Sequence, residues 1–91
     1  MSFKHLTIKV SGQVQGINFR SETRKEAKNL DISGFAKNES DGSVLIEAEG
    51  TEKNLDKLVK WCQRGPLFAK VEKVEIEEKE ITGYENFEIK Y

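Results

Sequence analysis

The chain has 91 residues, enough for one hydrophobic core and too few for two, so residues 1–91 are read as a single domain. Hydrophobic residues make up 36% and charged residues 34%, with 15 basic against 16 acidic side chains and a net charge of −1, which disfavours both a disordered chain and a basic nucleic-acid surface. A lone cysteine, Cys62, and a lone histidine, His5, exclude an internal disulfide and a zinc cluster. No acidic loop has calcium-site spacing, and no apolar run is long enough for a signal peptide or a membrane span. The expectation is a cytoplasmic protein with no metal, no cofactor, no nucleic acid and no membrane.

In chain order, Leu6, Ile8 and Val10 alternate with Thr7 and Lys9, the period of a half-buried strand. His5 falls on the opposite register and reads as an exposed strand residue without a role. Phe19, Thr23, Ala27 and Leu30 recur at helical spacing, with Glu22, Arg24, Lys25, Glu26 and Lys28 on the other face. Residues 31–34 end that helix, and 35–38 read as a second strand. Asp41-Gly42 then supplies the positive φ values of a hairpin turn. Val44, Ile46 and Ala48 alternate in a third strand, with Leu45 out of pattern on its polar side. Thr51 is placed to cap a second helix whose stripe is Leu55, Leu58, Val59 and Cys62, and Gly65-Pro66 stops it. Near the end of that helix Cys62 reads as a core residue rather than a reactive thiolate. The odd spacing of Val71, Val74 and Ile76 predicts a fourth strand with a bulge or change of face. Glu75, Glu77, Glu78, Lys79 and Glu80 read as a solvated face and edge. Phe87, Ile89 and Tyr91 alternate in a short last strand.

This order predicts an α+β fold, a ferredoxin-like βαββαβ sandwich: an antiparallel sheet with two helices on one face and a short C-terminal strand. Such a fold hosts many functions, so the function has to come from a site. The stretch that carries one is Gly12-Gln13-Val14-Gln15-Gly16-Ile17-Asn18-Phe19-Arg20, between the first strand and the first helix. Its glycines permit positive φ, so the backbone N–H groups of Gln15, Gly16, Ile17, Asn18, Phe19 and Arg20 are expected to form a concave anion cradle. A helix starting near Phe19 aims its unpaired N–H groups and positive dipole end at the same point. Arg20 adds a permanent charge and a planar fork of donors that matches two phosphate oxygens. The loop is neither a Walker loop nor a dinucleotide fingerprint. A Gly-x-x-x-Gly followed by Arg also serves as a plain strand-to-helix connection with Arg20 solvated, so the full residue order has to decide.

That order, Gly-x-Val-Gln-Gly-Ile-x-Phe-Arg, resembles the signature of the acylphosphatase family, small enzymes that hydrolyse the carboxyl–phosphate bond. Gly34-Phe35-Ala36-Lys37-Asn38, followed by Asp41-Gly42-Ser43-Val44, resembles the family's second segment. Phe35, Ala36 and Lys37 depart from its commonest residues but keep an aromatic, a small apolar and a cationic side chain. Gly65-Pro66 and Phe87-Glu88-Ile89-Lys90-Tyr91 extend the resemblance over nearly the whole chain. It implies Arg20 as the phosphate-binding residue and Asn38 as the residue that holds the catalytic water. Asparagine before a turn is otherwise an ordinary local cap.

The groups absent from the sequence agree with that reaction. Expelling an alkoxide calls for a metal or a general acid, whereas an acyl phosphate expels a carboxylate whose conjugate acid has a pKa of about 4.3, like a glutamate side chain. Phosphoryl transfer is mostly positioning and charge stabilisation, so an amide nest, an arginine and one residue to place a water suffice. The expected mechanism is direct attack of water on phosphorus without a covalent intermediate. Asn38 would orient the water rather than deprotonate it. Ser21 and Thr23 are expected to be first-turn polar residues or supports of the site, and Phe19 a core side chain. The expected ligands are a small acyl phosphate and, as simple anions, phosphate or sulfate. Size and the lack of an apolar interface stripe suggest a monomer. Competing readings are a domain that handles carbamoyl phosphate, or a non-catalytic ferredoxin-like module that binds RNA or a small anion. Lys9, Ser11, Lys37 and Glu47 make a poor platform for stacking bases.

Overall fold

The strand alternations and helical stripes close into one core. A computed structural model describes residues 2–91. The elements are β1 (Phe3–Gln13), α1 (Phe19–Asn29), β2 (Ser33–Asn38), β3 (Val44–Thr51), α2 (Glu52–Arg64), β4 (Lys70–Lys79) and β5 (Phe87–Lys90). They form one sheet in the order β4-β1-β3-β2-β5, with both helices on one face. Ile8 and Val10 of β1, Ala36 of β2 and Val44, Ile46 and Ala48 of β3 are buried with Phe19 and Ala27 of α1 and Leu55, Leu58 and Cys62 of α2. Burial pushes the Cys62 thiol up to about 12, with the charge of Glu26 adding to it, so the thiol is a core group. This is the expected ferredoxin-like α+β arrangement. β4, β1, β3 and β2 pair antiparallel, while β5 joins the far edge parallel to β2, with Gly34 opposite Phe87, so the complete sheet is mixed.

Local chemistry sets the boundaries. Thr51 Oγ1 accepts a hydrogen bond from Asn54 N and starts α2, and Gly65 ends it with φ 74° and an N–H donated to Trp61 O. The spacing of Val71 and Val74 does mark a bulge: Ser11 pairs with Lys73 but Gly12 with Val71, leaving Glu72 as the extra residue. Gly12 sits at that bulge with φ 128°, and a Cβ there would lie 2.2 Å from Lys70 O, so only glycine fits.

The face of the sheet away from the helices carries the main departure from expectation. His5 is only 4% exposed, not a free strand residue. Alternation places it on the non-helical face correctly, but the segment between β4 and β5 crosses that face and covers it. His5 Nε2 lies 2.6 Å from Glu47 Oε1; Nδ1 lies 2.9 Å from Glu49 Oε2 and 3.0 Å from Glu80 O. The Glu49 carboxylate, 1% exposed, accepts from the backbone N–H groups of Thr82, Gly83 and Tyr84 in the crossing segment. Burial pushes Glu49 up, but those three amides and the His5 ring outweigh it and hold the carboxyl below its ordinary value of 4.5.

The sign of the resulting pH dependence follows. A carboxyl more acidic in the folded than in the unfolded chain stabilises the fold fully above its unfolded pKa, and the stabilisation is lost as pH falls through the folded value. Glu49→Gln is therefore expected to be less stable than wild type at pH 7, with the gap narrowing below about pH 4.5, near the unfolded pKa of a glutamate. Urea denaturation of both proteins from pH 7 to pH 3 checks this, and a gap independent of pH would refute it. Among the described residues, no helix is long and apolar enough to cross a membrane.

Candidate active site

The loop after β1 is shaped by two left-handed residues. Gly16 has φ 77°, and Asn18 has φ 64° and ψ 26° immediately before the first residue of α1. Both glycines were expected to shape this loop, but Gly12 belongs to the strand, and the second left-handed position falls to Asn18. Asparagine's short polar side chain tolerates that conformation. A left-handed residue followed by right-handed helical ones turns successive N–H groups toward one concave side, which is the geometry of an anion nest. Glu22 N donates to Asn18 O at 3.0 Å and closes the first helical turn behind it. The loop is held down by apolar side chains: Val14 is 1% exposed, Ile17 packs on the core, and buried Phe19 lies 5.6 Å from Trp61, ring centroid to centroid.

A cavity of about 270 Å³ opens above this loop. Gly16, Asn18, Phe19 and Arg20 line it, and so does Asn38, the last residue of β2. Ser21 also faces it, whereas Thr23 is buried and donates its hydroxyl to Phe19 O at 2.7 Å, a bond internal to the helix. The structure therefore brings Arg20 and Asn38 to one cavity. Gln15 and Ile17 do not line it. Ile17 serves the core, and the Gln15 side chain turns toward the β2–β3 hairpin, donating to Glu39 O and Ser43 O at 2.8 Å each. That hairpin is itself braced: Asp41 Oδ1 accepts from the Ser43 hydroxyl and amide, and Asp41 Oδ2 pairs with Lys9 Nζ at 2.8 Å. The Lys9 ammonium and then the Ser43 donors hold the Asp41 carboxyl well below the usual aspartate range.

Sequence reasoning did not place β5 at this site. Ile89 and Tyr91 form part of the cavity wall, and Arg20 Nη1 donates to Lys90 O at 2.9 Å while its guanidinium carbon lies 4.8 Å from the Tyr91 ring centroid. The alternation of Phe87, Ile89 and Tyr91 marks a strand but not its partner. Only the parallel pairing of β5 with β2, which sets Lys90 beside Lys37 next to Asn38, carries these residues to the loop.

Comparison with known proteins bears on the family and the fold. The family model described as Acylphosphatase matches residues 6–89. An acylphosphatase of Archaeoglobus fulgidus is 48% identical over 86 residues, covering 94% of this chain and 97% of the relative. One of Oceanobacillus iheyensis is 44% identical over 90 residues, covering 97% and 99%. The crystal structure of acylphosphatase from Bacillus subtilis superposes with a TM-score of 0.94 at 35% identity, covering 99% of this chain and all of that one. With a family model matched over residues 6–89, relatives 44% and 48% identical over nearly the whole chain and the same fold in a solved acylphosphatase, the chain belongs to the acylphosphatase family.

Proposed function

We propose that this acylphosphatase cleaves the carboxyl–phosphate bond of a small acyl phosphate by direct attack of water on phosphorus, with Arg20 and the loop amides holding the phosphoryl group and Asn38 orienting the water. The observation that carries this reading is the meeting of three features at one cavity: the left-handed turn at Asn18, the guanidinium of Arg20 and the side chain of Asn38. The amides and the arginine supply donors and positive charge where the three equatorial oxygens of the transition state gather negative charge. Asn38 is the last residue of β2, and its backbone is paired with Val44 of β3, which fixes where its side chain leaves the sheet. A side-chain amide is a poor base, so it places the water while the substrate phosphate takes up the proton. The departing carboxylate needs no protonation, and the reaction in this reading needs no metal. Inorganic phosphate and sulfate compete for the same cradle, and the protein works as a cytoplasmic monomer without nucleic acid or membrane.

The test is hydrolysis of benzoyl phosphate in EDTA. Turnover that is unchanged by the chelator and competitively inhibited by inorganic phosphate is the expected result. A folded wild type that binds phosphate without hydrolysing the substrate would leave an anion-binding module, and activity restored only by magnesium would overturn the metal-free mechanism.

A further inference from the structure

The Gln15 side chain joins the two halves of the site. It leaves the loop one residue before Gly16, is half-buried, and its Nε2 donates to Glu39 O and to Ser43 O, each at 2.8 Å. Those carbonyls belong to the hairpin that Asn38 enters. Glu39 directly follows Asn38, and Ser43 directly precedes Val44, the residue paired with Asn38 across β2 and β3. The same two residues close the turn, with Glu39 N donating to Ser43 O at 2.9 Å and Gly42 N to Glu39 O at 3.1 Å. One nitrogen thus bridges the two sides of the turn just beyond Asn38. A primary amide suits this position, because its NH₂ carries two donors, one for each carbonyl. A carboxylate of the same shape would set acceptor against acceptor, and a thioether would leave both carbonyls without this partner.

We infer that Gln15 is a positioning residue: its side chain locks the β2–β3 hairpin to the phosphate loop, so that a water held by Asn38 stays aligned with phosphorus held by the cradle. The inference rests on the role proposed for Asn38 above. In this reading the loop carries the electrophile and the hairpin carries the nucleophile, and the two lie on separate segments of the chain. A displacement of 1 Å between reacting groups costs on the order of 10²-fold in rate. Gln15 is the tie that limits such a displacement, and it does so without touching the substrate.

The experiment compares wild type, Gln15→Met, Gln15→Asn, Asn38→Ala and the double variant Gln15→Met/Asn38→Ala, measuring kcat, KM and the inhibition constant of inorganic phosphate with benzoyl phosphate as substrate. Gln15→Met keeps length and volume but has no donor. Its kcat is expected to fall by roughly 10- to 100-fold while the phosphate inhibition constant changes by less than about 3-fold, because the amide nest and Arg20 are intact. Gln15→Asn keeps the donors on a side chain too short to reach both carbonyls, and an intermediate loss is expected. If Gln15 acts through Asn38, the double variant is no slower than Asn38→Ala alone, within about 2-fold. Thr51→Ala serves as the control for stability, since it removes the α2 cap at the end of β3 opposite Val44 and leaves the site intact. Equal losses in kcat and phosphate affinity for Gln15→Met, additive losses in the double variant, unchanged turnover, or a matching kcat loss in Thr51→Ala would each overturn the coupling. Full turnover in Asn38→Ala, or an inactive wild type, would overturn the reading beneath it as well.

Discussion

Arg20→Ala is expected to lower kcat/KM for benzoyl phosphate by at least roughly 10² to 10³, by comparison with the loss of an oxyanion-hole donor, which costs about 2.7 to 4 kcal/mol. Among the described residues Arg20 is the one charged side chain that lines the cavity, and the formal charge of the chain as a whole, −1, offers the substrate no general attraction. The fork geometry matters as well as the charge. Arg20 Nη1 donates to Lys90 O and its guanidinium carbon lies 4.8 Å from the Tyr91 ring centroid, so in the proposed role its remaining donors are the ones that would meet phosphate oxygens. Arg20→Lys keeps the charge but loses the plane, the bidentate pairing and the contact with Lys90 O, so it is expected to recover only a small part of the activity. The inhibition constant of phosphate should rise in both variants. Steady-state kinetics with circular dichroism as the check on folding decides it, and undiminished turnover in a folded Arg20→Ala would remove Arg20 from the mechanism.

Asn38→Ala is expected to show a different signature of similar size, a fall in kcat of at least roughly 10² with phosphate affinity nearly unchanged, because the water rather than the phosphoryl group loses its partner. Asn38→Asp sharpens the test. It is nearly isosteric, but it replaces the NH₂ donor with an acceptor and puts negative charge beside the anion, so it should be no better than alanine at neutral pH. Recovery of activity by Asn38→Asp would indicate that the position acts as a base. Parallel losses of turnover and phosphate affinity in Asn38→Ala would indicate that it holds the phosphate instead.

Which parts of this molecule could be read in advance follows from how far apart in the chain the interacting residues lie. The alternation of Leu6, Ile8 and Val10, the α2 stripe from Leu55 to Cys62 and the capping residues Thr51 and Gly65 report local structure, and each element appeared where its pattern placed it. The Gly16 turn and Arg20 were legible because backbone freedom and charge are written in residue type. His5 was misread because alternation tells which face a residue takes but not what covers that face. The cover is a segment some 75 positions away, docked through the Glu49 carboxylate. The parallel seating of β5, and with it the contributions of Ile89 and Tyr91 to the cavity, depended on a pairing with β2 that no local pattern encodes. The Gln15 side chain was passed over for a related reason: its partners are backbone carbonyls, which every residue type supplies equally.

The bond from Arg20 to Lys90 O spans 70 positions, and the contact of His5 with Glu80 O spans 75. Large chain loops must close before either contact forms, and the entropy of that closure is met before any of it is returned as packing. A protein wired this way is expected to fold more slowly than a helical bundle of the same size. The cavity is walled by the loop after β1 together with α1, β2, β5 and Tyr91, so no fragment that lacks the last strand holds a finished site. Recovery of catalysis during refolding therefore times the arrival of β5, while the fluorescence of Trp61, packed against Phe19 beneath the loop, times the closing of the core.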